Sequence, residues 1–201
     1  MTGIPQADSS TEPFRLPSSC EPALLERFLK AEAMALWAVR SSQLQEVPAN
    51  VRTFLRQHEE DEQRHLAQFE TLLAHRAHER GRLPSVPQQW PALAVQLFGY
   101  EALGLEFALL LADLRPDLTS ILEDELTHVG FFEREIRKIL SGEPSAAEHA
   151  RMSARAWWRK LPRTLNRYLE HAALEPYRQE LARRILSAIE CRLIETGLLE
   201  Q

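Results

Sequence analysis

Two amphipathic segments of this chain carry the same polar interruption in an otherwise apolar stripe. Glu62 and His65 interrupt one stripe, and Glu125 and His128 interrupt the other at the same three-residue spacing. On an α-helix this step turns about 300° and rises about 4.5 Å, so both side chains of a pair point the same way. Unpaired charges on a buried face are costly, and a bound cation explains them. The pattern therefore requires long helices that bury these pairs together.

The remaining sequence predicts an all-α fold. It contains only seven glycines, no alternating strand pattern and several long runs with a period of about 3.6. Ten extended residues at 81–90, including two prolines, reach about 33 Å, enough for a crossover along a bundle. We expect four bundle helices, joined as two antiparallel hairpins, and two C-terminal helices over about 22–45, 48–80, 91–114, 118–139, 146–170 (interrupted at Pro162) and 176–199.

Each Glu-x-x-His pair follows a helix with a glutamate among apolar residues. Glu32 and Glu62 are each about 15 residues from the turn that joins their helices, so an antiparallel hairpin holds them at the same height. On the third helix Glu101 and Glu106 are alternatives, because five residues separate them by about 140° around the axis. We favour Glu101, which lies ten residues past a proline as Glu32 does. The other is expected to tune histidine or water.

These residues predict a dinuclear metal site. Carboxylate and imidazole ligands suit iron or manganese better than metals that prefer sulfur. We expect two iron ions, with manganese or a mixed manganese–iron pair as alternatives. His58 could line the same core, but we interpret it as a hydrogen-bonded core residue and leave it outside the ligand set. The predicted ligands are Glu32, Glu62, His65, Glu101, Glu125 and His128.

Composition limits the remaining possibilities. A net charge of −5 argues against wholesale wrapping by nucleic acid, and two cysteines are too few for a disulfide framework. We expect a cytoplasmic protein that does not span a membrane. Residues 1–20 contain prolines among polar residues and are expected to form a disordered tail. The prediction is a single helical domain over 21–201, with the four-helix bundle at 21–140 and a C-terminal helical extension at 145–201.

A basic tract in the fifth predicted helix has two interpretations. Its six basic residues have no acid between them and are interleaved with tryptophan and tyrosine. Such a tract can form a groove for RNA or another anion, or it can be an amphipathic helix that buries its aromatic residues and solvates its arginines. The candidate contacts are Arg151, Arg155, Arg159, Lys160, Arg163 and Arg167.

Residues 22–140 resemble the ferritin-like superfamily, in the form with Glu-x-x-His on the second and fourth helices. The segment Tyr100-Glu101-Ala102-Leu103-Gly104-Leu105-Glu106-Phe107, followed by Asp124-Glu125-Leu126-Thr127-His128, is similar to MiaE-type tRNA hydroxylases. The resemblance implies a ferritin-like four-helix bundle and a carboxylate-bridged diiron centre.

The resemblance also implies a function. The expected activity is that of an O₂-dependent diiron oxygenase or oxidase, which takes electrons from an external donor. Its substrate would be a modified tRNA nucleoside or a small organic molecule, and the protein would be a monomer or homodimer. Two alternatives stay open: a ferroxidase, metal-handling or peroxide-scavenging protein, and a non-enzymatic helical interaction module.

Overall fold

The computed structural model describes residues 14–77 and 85–200, and the regular structure in these residues is entirely helical. This confirms the all-α prediction. Short 3-10 turns at Ser18–Cys20, Pro116–Leu118 and Glu175–Tyr177 precede three of the helices. The six α-helices are α1 (Glu21–Gln43), α2 (Ala49–Leu73), α3 (Trp90–Leu114), α4 (Thr119–Ser141), α5 (Pro144–Tyr168) and α6 (Arg178–Glu195).

The first four helices surround one core. Helix α1 packs along α2, α3 packs along α4, and α1 also contacts α3 while α2 contacts α4. Phenylalanines fill much of the interior: the Phe28 and Phe69 rings stack with centroids 5.0 Å apart, and Phe107 meets Phe28 edge-on. Such aromatic side chains supply a large part of the apolar area that stabilises a core. The core therefore ties α1, α2 and α3 together around the predicted ligands.

Helix α3 is the central element of the fold. It is long and apolar enough to cross a membrane by length and composition, but 67% of its most apolar window is buried against other helices. That burial is typical of the core helix of a soluble protein. Helix α5 lies against it, and a Cβ at Gly99 would overlap the Trp157 ring. Glycine at this position therefore allows α5 to approach α3 closely.

Several element boundaries differ from the predictions. Helix α2 ends at Leu73 rather than near residue 80, because Ala74 adopts a left-handed conformation (φ 55°) that stops the helix. Leu72, an apolar residue next to this end, is 38% exposed. Helix α5 continues through Pro162 instead of breaking there, since proline removes one N–H donor on a solvent-exposed face.

The segments that flank α1 and α3 are only partly described. Residues 1–13 of the predicted tail and residues 81–84 of the predicted crossover lie outside the described residues. Residues 14–20, also assigned to the tail, contact the core instead: Leu16 and Cys20 are buried. The Phe14 ring packs edge-on against Tyr177 and lies 4.6 Å from the Arg184 guanidinium carbon. These apolar and cation–π contacts join the segment before α1 to α6 and the turn preceding it.

Candidate metal centre

Helices α1 to α4 bring seven ionisable side chains together in the core, and none is more than 3% exposed. Six are the predicted ligands, and the seventh is His58. The apolar stripe of each helix places its acid or histidine inward because the flanking stripe residues are themselves buried. The seven residues are Glu32 from α1, His58, Glu62 and His65 from α2, Glu101 from α3, and Glu125 and His128 from α4.

The seven side chains form two overlapping groups of four. Each residue of a group offers one ligand atom that lies within 4.8 Å of the other three. Ligand atoms around one iron or manganese ion, with bonds of about 2.1 Å, are separated by up to about 4.2 Å, so each group has nearly the size that one ion requires. Glu62 belongs to both groups. The groups are His58, Glu62, Glu101 and His128, and Glu32, Glu62, His65 and Glu125.

His58 is the functional candidate that the sequence analysis left out. Its Nε2 lies 2.9 Å from Glu62 Oε1 and 3.3 Å from Glu101 Oε2. Its ring centroid is 3.8 Å from that of His128. Two signals in the sequence point to it: His58 is one helical turn before Glu62 and shares the stripe of His65. A single histidine on an apolar stripe is compatible with a metal ligand and with a core residue, so the sequence did not distinguish the two roles.

Buried polar atoms without hydrogen bonds concentrate at this cluster. Among the described residues, six of the eight buried side-chain nitrogen and oxygen atoms without a hydrogen-bond partner belong to it. Buried polar atoms in native proteins are nearly always satisfied, so this concentration calls for a bound partner. Imidazole nitrogens and carboxylate oxygens are good ligands for iron and manganese, and the cluster therefore fits a metal centre. The six atoms are Glu32 Oε2, His58 Nδ1, Glu62 Oε2, His65 Nδ1, Glu125 Oε2 and His128 Nδ1.

Two aspartates orient the two Glu-x-x-His histidines across the hairpins. His65 Nε2 lies 3.0 Å from Asp124 Oδ2, and His128 Nε2 lies 3.3 Å from Asp61 Oδ2. With Nε2–H donating to aspartate, each Nδ1 is left facing a cluster carboxylate as a potential ligand. Arg64 joins the two aspartates, since its Nη2 is 2.9 Å from Asp61 and 2.7 Å from Asp124. The sequence feature that could have indicated these contacts is the aspartate immediately before the glutamate of each Glu-x-x-His pair.

Burial and mutual repulsion perturb the cluster strongly. Burial raises the pKa of Glu32 well above its ordinary value, and the neighbouring Glu62 raises it further. Burial also raises the pKa of Glu125, and Glu101 adds to that effect. Burial alone would lower the pKa of His58, but Glu101 and Glu62 outweigh it and raise the pKa to about 10. Without a bound cation, the buried site therefore disfavours the ionised form of these two glutamates.

The other predicted site residues lie elsewhere. Glu106 is outside the cluster, with Oε1 3.8 Å from Arg192 Nη2 on α6, so the structure brings Glu101 and not Glu106 to the four-helix core. The six basic residues of α5 have different surroundings. Arg151 Nε donates to the Gly197 carbonyl, Arg155 pairs with Glu148, and Arg159 donates to a carbonyl of its own helix. Lys160 and Arg167 line surface cavities, and Arg163 is exposed.

A cavity of about 180 Å³ reaches the cluster from the α1 and α5 side. Glu32, Glu101 and Glu125 form its inner end. Gly104 makes room for one of them, because a Cβ there would lie 2.9 Å from Glu125 Oε2. The other lining residues are mostly apolar: Ala31, Met34, Ala35, Tyr100, Leu103, Gly104, Phe107, Thr164 and Tyr168.

Comparisons with known proteins found no match for this chain. No protein-family model matches the chain, and no curated protein or solved structure is significantly similar to it.

Proposed function

We propose that this protein is a ferritin-like, non-haem diiron oxygenase or oxidase. The observation that carries the proposal is the pair of overlapping His/Glu groups in the four-helix core, with six buried atoms that lack hydrogen-bond partners. Two divalent cations would balance the four glutamates and occupy both groups. Ferrous iron held by these residues would supply the electrons needed to activate O₂ for attack on a substrate C–H bond. We expect an external donor to restore those electrons.

Different residues would coordinate each of the two ions, and one residue would coordinate both. Glu62 would contribute to both positions, because it belongs to both groups. His58 and His128 would serve one position and His65 the other. Asp61 and Asp124 would fix the orientation of two imidazoles through Nε2–H, which keeps Nδ1 available as a ligand.

The surroundings of the cluster would protect the reaction from water. Phe132 is fully buried, with its ring centroid 6.0 Å from that of His58, and Phe54 lies 6.0 Å from the His128 ring. These rings close one side of the site, while the 180 Å³ cavity opens at the carboxylate side. A cavity that ends on the proposed ligands favours an organic substrate over the metal-handling, peroxide-scavenging and non-enzymatic alternatives.

The direct test is metal content per chain after loading with ferrous iron without oxygen, followed by O₂ uptake. We expect about two irons per chain and O₂ consumption that depends on them. Glu62→Ala and His128→Ala should each lose at least one ion while the helical circular dichroism stays largely intact. Glu106→Ala is the matched control, because it removes a carboxylate from the same central helix outside the cluster. Undiminished two-metal binding in both ligand variants would refute the proposal.

A further inference from the structure

The cavity at the metal cluster adjoins a second, basic cavity between α1 and α5. The second has a volume of about 190 Å³ and is lined by Arg27, Lys30, Thr164, Arg167 and Tyr168. Thr164 and Tyr168 line both cavities. The cluster carboxylates thus line one cavity, and Arg27, Lys30 and Arg167, here called the basic mouth, line the neighbouring one with three positive charges. A path from the basic mouth to the cluster would pass Thr164 and Tyr168.

The basic mouth has unused capacity to bind an anion. Among the described residues, Lys30 and Arg167 make no ion pair with an acidic side chain, and both are exposed. Arg27 donates from Nη2 to the Glu170 carbonyl at 2.5 Å, which fixes its guanidinium, while its buried Nε has no hydrogen-bond partner in the described structure. A guanidinium that is held in place beside two further cations is a typical recognition site for carboxylate or phosphate.

The dimensions of the path limit the size of the ligand. Arg27 and Glu32 are five residues apart on α1, which corresponds to about 7.5 Å along the helix axis. The cavity at the cluster is bordered by the apolar side chains of Met34, Leu103 and Phe107. Arg27 and Glu32 also lie about 140° apart around that axis, so a ligand that reaches both has to be longer than this rise, and an alkyl chain of about eight carbon atoms, roughly 10 Å long, meets that minimum.

We infer that the substrate is a small amphipathic anion, whose carboxylate or phosphate binds at the basic mouth and whose apolar end reaches the carboxylate cluster. This inference rests on the proposed function and specifies its substrate class. The arrangement would fix both ends of the substrate, so that the same part of the apolar chain always faces the reactive centre.

The placement of the α5 basic residues favours a small anion over RNA. A surface that follows a nucleic-acid backbone needs a continuous row of available cations. Here Arg151 and Arg155 are occupied by a backbone carbonyl and by Glu148, and only Arg167 of the tract reaches the basic mouth. The other two cations of the mouth come from α1.

The test is calorimetric binding of three ligands of equal chain length to the full-length, iron-loaded protein without oxygen. Octanoate and octyl phosphate carry the two candidate anionic groups, and octan-1-ol carries none. We expect at least one anion to bind about tenfold or more tightly than the alcohol, the effect of one charge-assisted hydrogen bond. The tighter anion distinguishes carboxylate from phosphate.

Charge reversal locates the binding. The Lys30→Glu/Arg167→Glu double variant should lose that tenfold advantage, whereas Arg163→Glu, which reverses an exposed charge on α5 outside the mouth, should keep it. All three positions are exposed, so the variants should fold. Metal content is measured on the same samples, and failure of the parent protein to bind iron would contradict the metal centre rather than the mouth.

Three results would overturn the inference while the metal centre stands. The first is an anion that binds no more tightly than octan-1-ol. The second is an anion affinity that the double variant leaves unchanged. The third is binding of bulk tRNA that Arg163→Glu weakens as much as the double variant does, which would assign the basic residues to RNA.

Discussion

Seven buried ionisable side chains share one site, and bound cations would balance the charge of its carboxylates. Four are glutamates, and three histidines cannot neutralise them even when all are protonated. Removing such charges from water costs several kcal/mol per ion unless partners compensate for it. Two divalent cations would supply four positive charges for the four carboxylates. The effect of single substitutions should therefore depend on which of the two groups they disturb.

His58→Ala should weaken one of the two metal positions. It removes the imidazole that lies within 3.3 Å of both Glu62 and Glu101, while the group around His65 keeps all its members. We expect about one tightly bound ion per chain instead of two, measured by equilibrium dialysis and elemental analysis. His75→Ala is the matched control, because His75 is an exposed histidine paired with Glu26 outside the cluster. Equal metal content in both variants would show that His58 only packs in the core.

Gly104→Ala should damage the site without unfolding the protein. The added Cβ would lie 2.9 Å from Glu125 Oε2, so this carboxylate has to move. Displacing a ligand in this way should lower metal affinity roughly 10- to 100-fold, as loss of supporting contacts does in known sites. In Gly130→Ala, the new methyl group meets only an arginine side chain at 3.5 Å. This control should keep its metal affinity and gain about 0.5–1 kcal/mol of stability. Unchanged metal affinity in Gly104→Ala would mean that Glu125 is not a ligand.

At the scale of helices, α2 and α4 are coupled by reciprocal contacts. Each carries a histidine that the other's aspartate orients, and Arg64 of α2 bridges both aspartates. Burial alone would raise the pKa of Asp61, but hydrogen bonds from Arg64 and His128 lower it below its ordinary value. The aspartate therefore stays ionised and acts as an acceptor for the imidazole N–H.

Arg64→Gln tests this coupling. The Arg64 side chain is 55% exposed, so the lost ion pairs should cost less than about 1 kcal/mol of unfolding free energy. Metal affinity should fall more, roughly tenfold, because both aspartates lose the group that holds them against the histidines. Arg56→Gln on the same helix is the control, since Arg56 is exposed and makes no ion pair among the described residues. A stability loss without any loss of metal affinity would argue against a positioning role.

At the scale of the whole molecule, metal binding and folding should be linked. All four bundle helices contribute to the cluster, so an ion that binds there stabilises their association. A ligand at a hundredfold excess over its dissociation constant adds about 2.7 kcal/mol. For a chain of this size that corresponds to a rise in Tm of roughly 5 to 10 °C.

Thermal unfolding with and without Mn²⁺ measures this linkage. The rise in Tm should disappear on adding EDTA and should be much smaller in Glu62→Ala, which removes the carboxylate common to both groups. Mn²⁺ avoids oxidation of the metal during heating. A Tm that does not respond to Mn²⁺ or Fe²⁺ would contradict a metal centre in the core.

Much of the architecture follows from local sequence patterns. The period of 3.6 predicted six helices, and the short connections predicted at about 45–48 and 114–118 indicated which helices pair. The proline at N1 or N2 fixed the beginning of α3 to within one residue. The end of α2 was wrong by about seven residues, because the left-handed turn at Ala74 has no glycine or asparagine to signal it.

The sequence by itself determined an all-α protein with two matching Glu-x-x-His pairs on buried faces, because helical periodicity fixes which residues share a stripe. Only the tertiary structure decided that Glu101 rather than Glu106 joins the cluster, that His58 belongs to it, and that the cavity at the cluster shares two lining residues with a basic cavity. These outcomes depend on how far each helix is rotated and how closely its neighbours approach. Packing between distant parts of the chain sets both, and no local pattern records it.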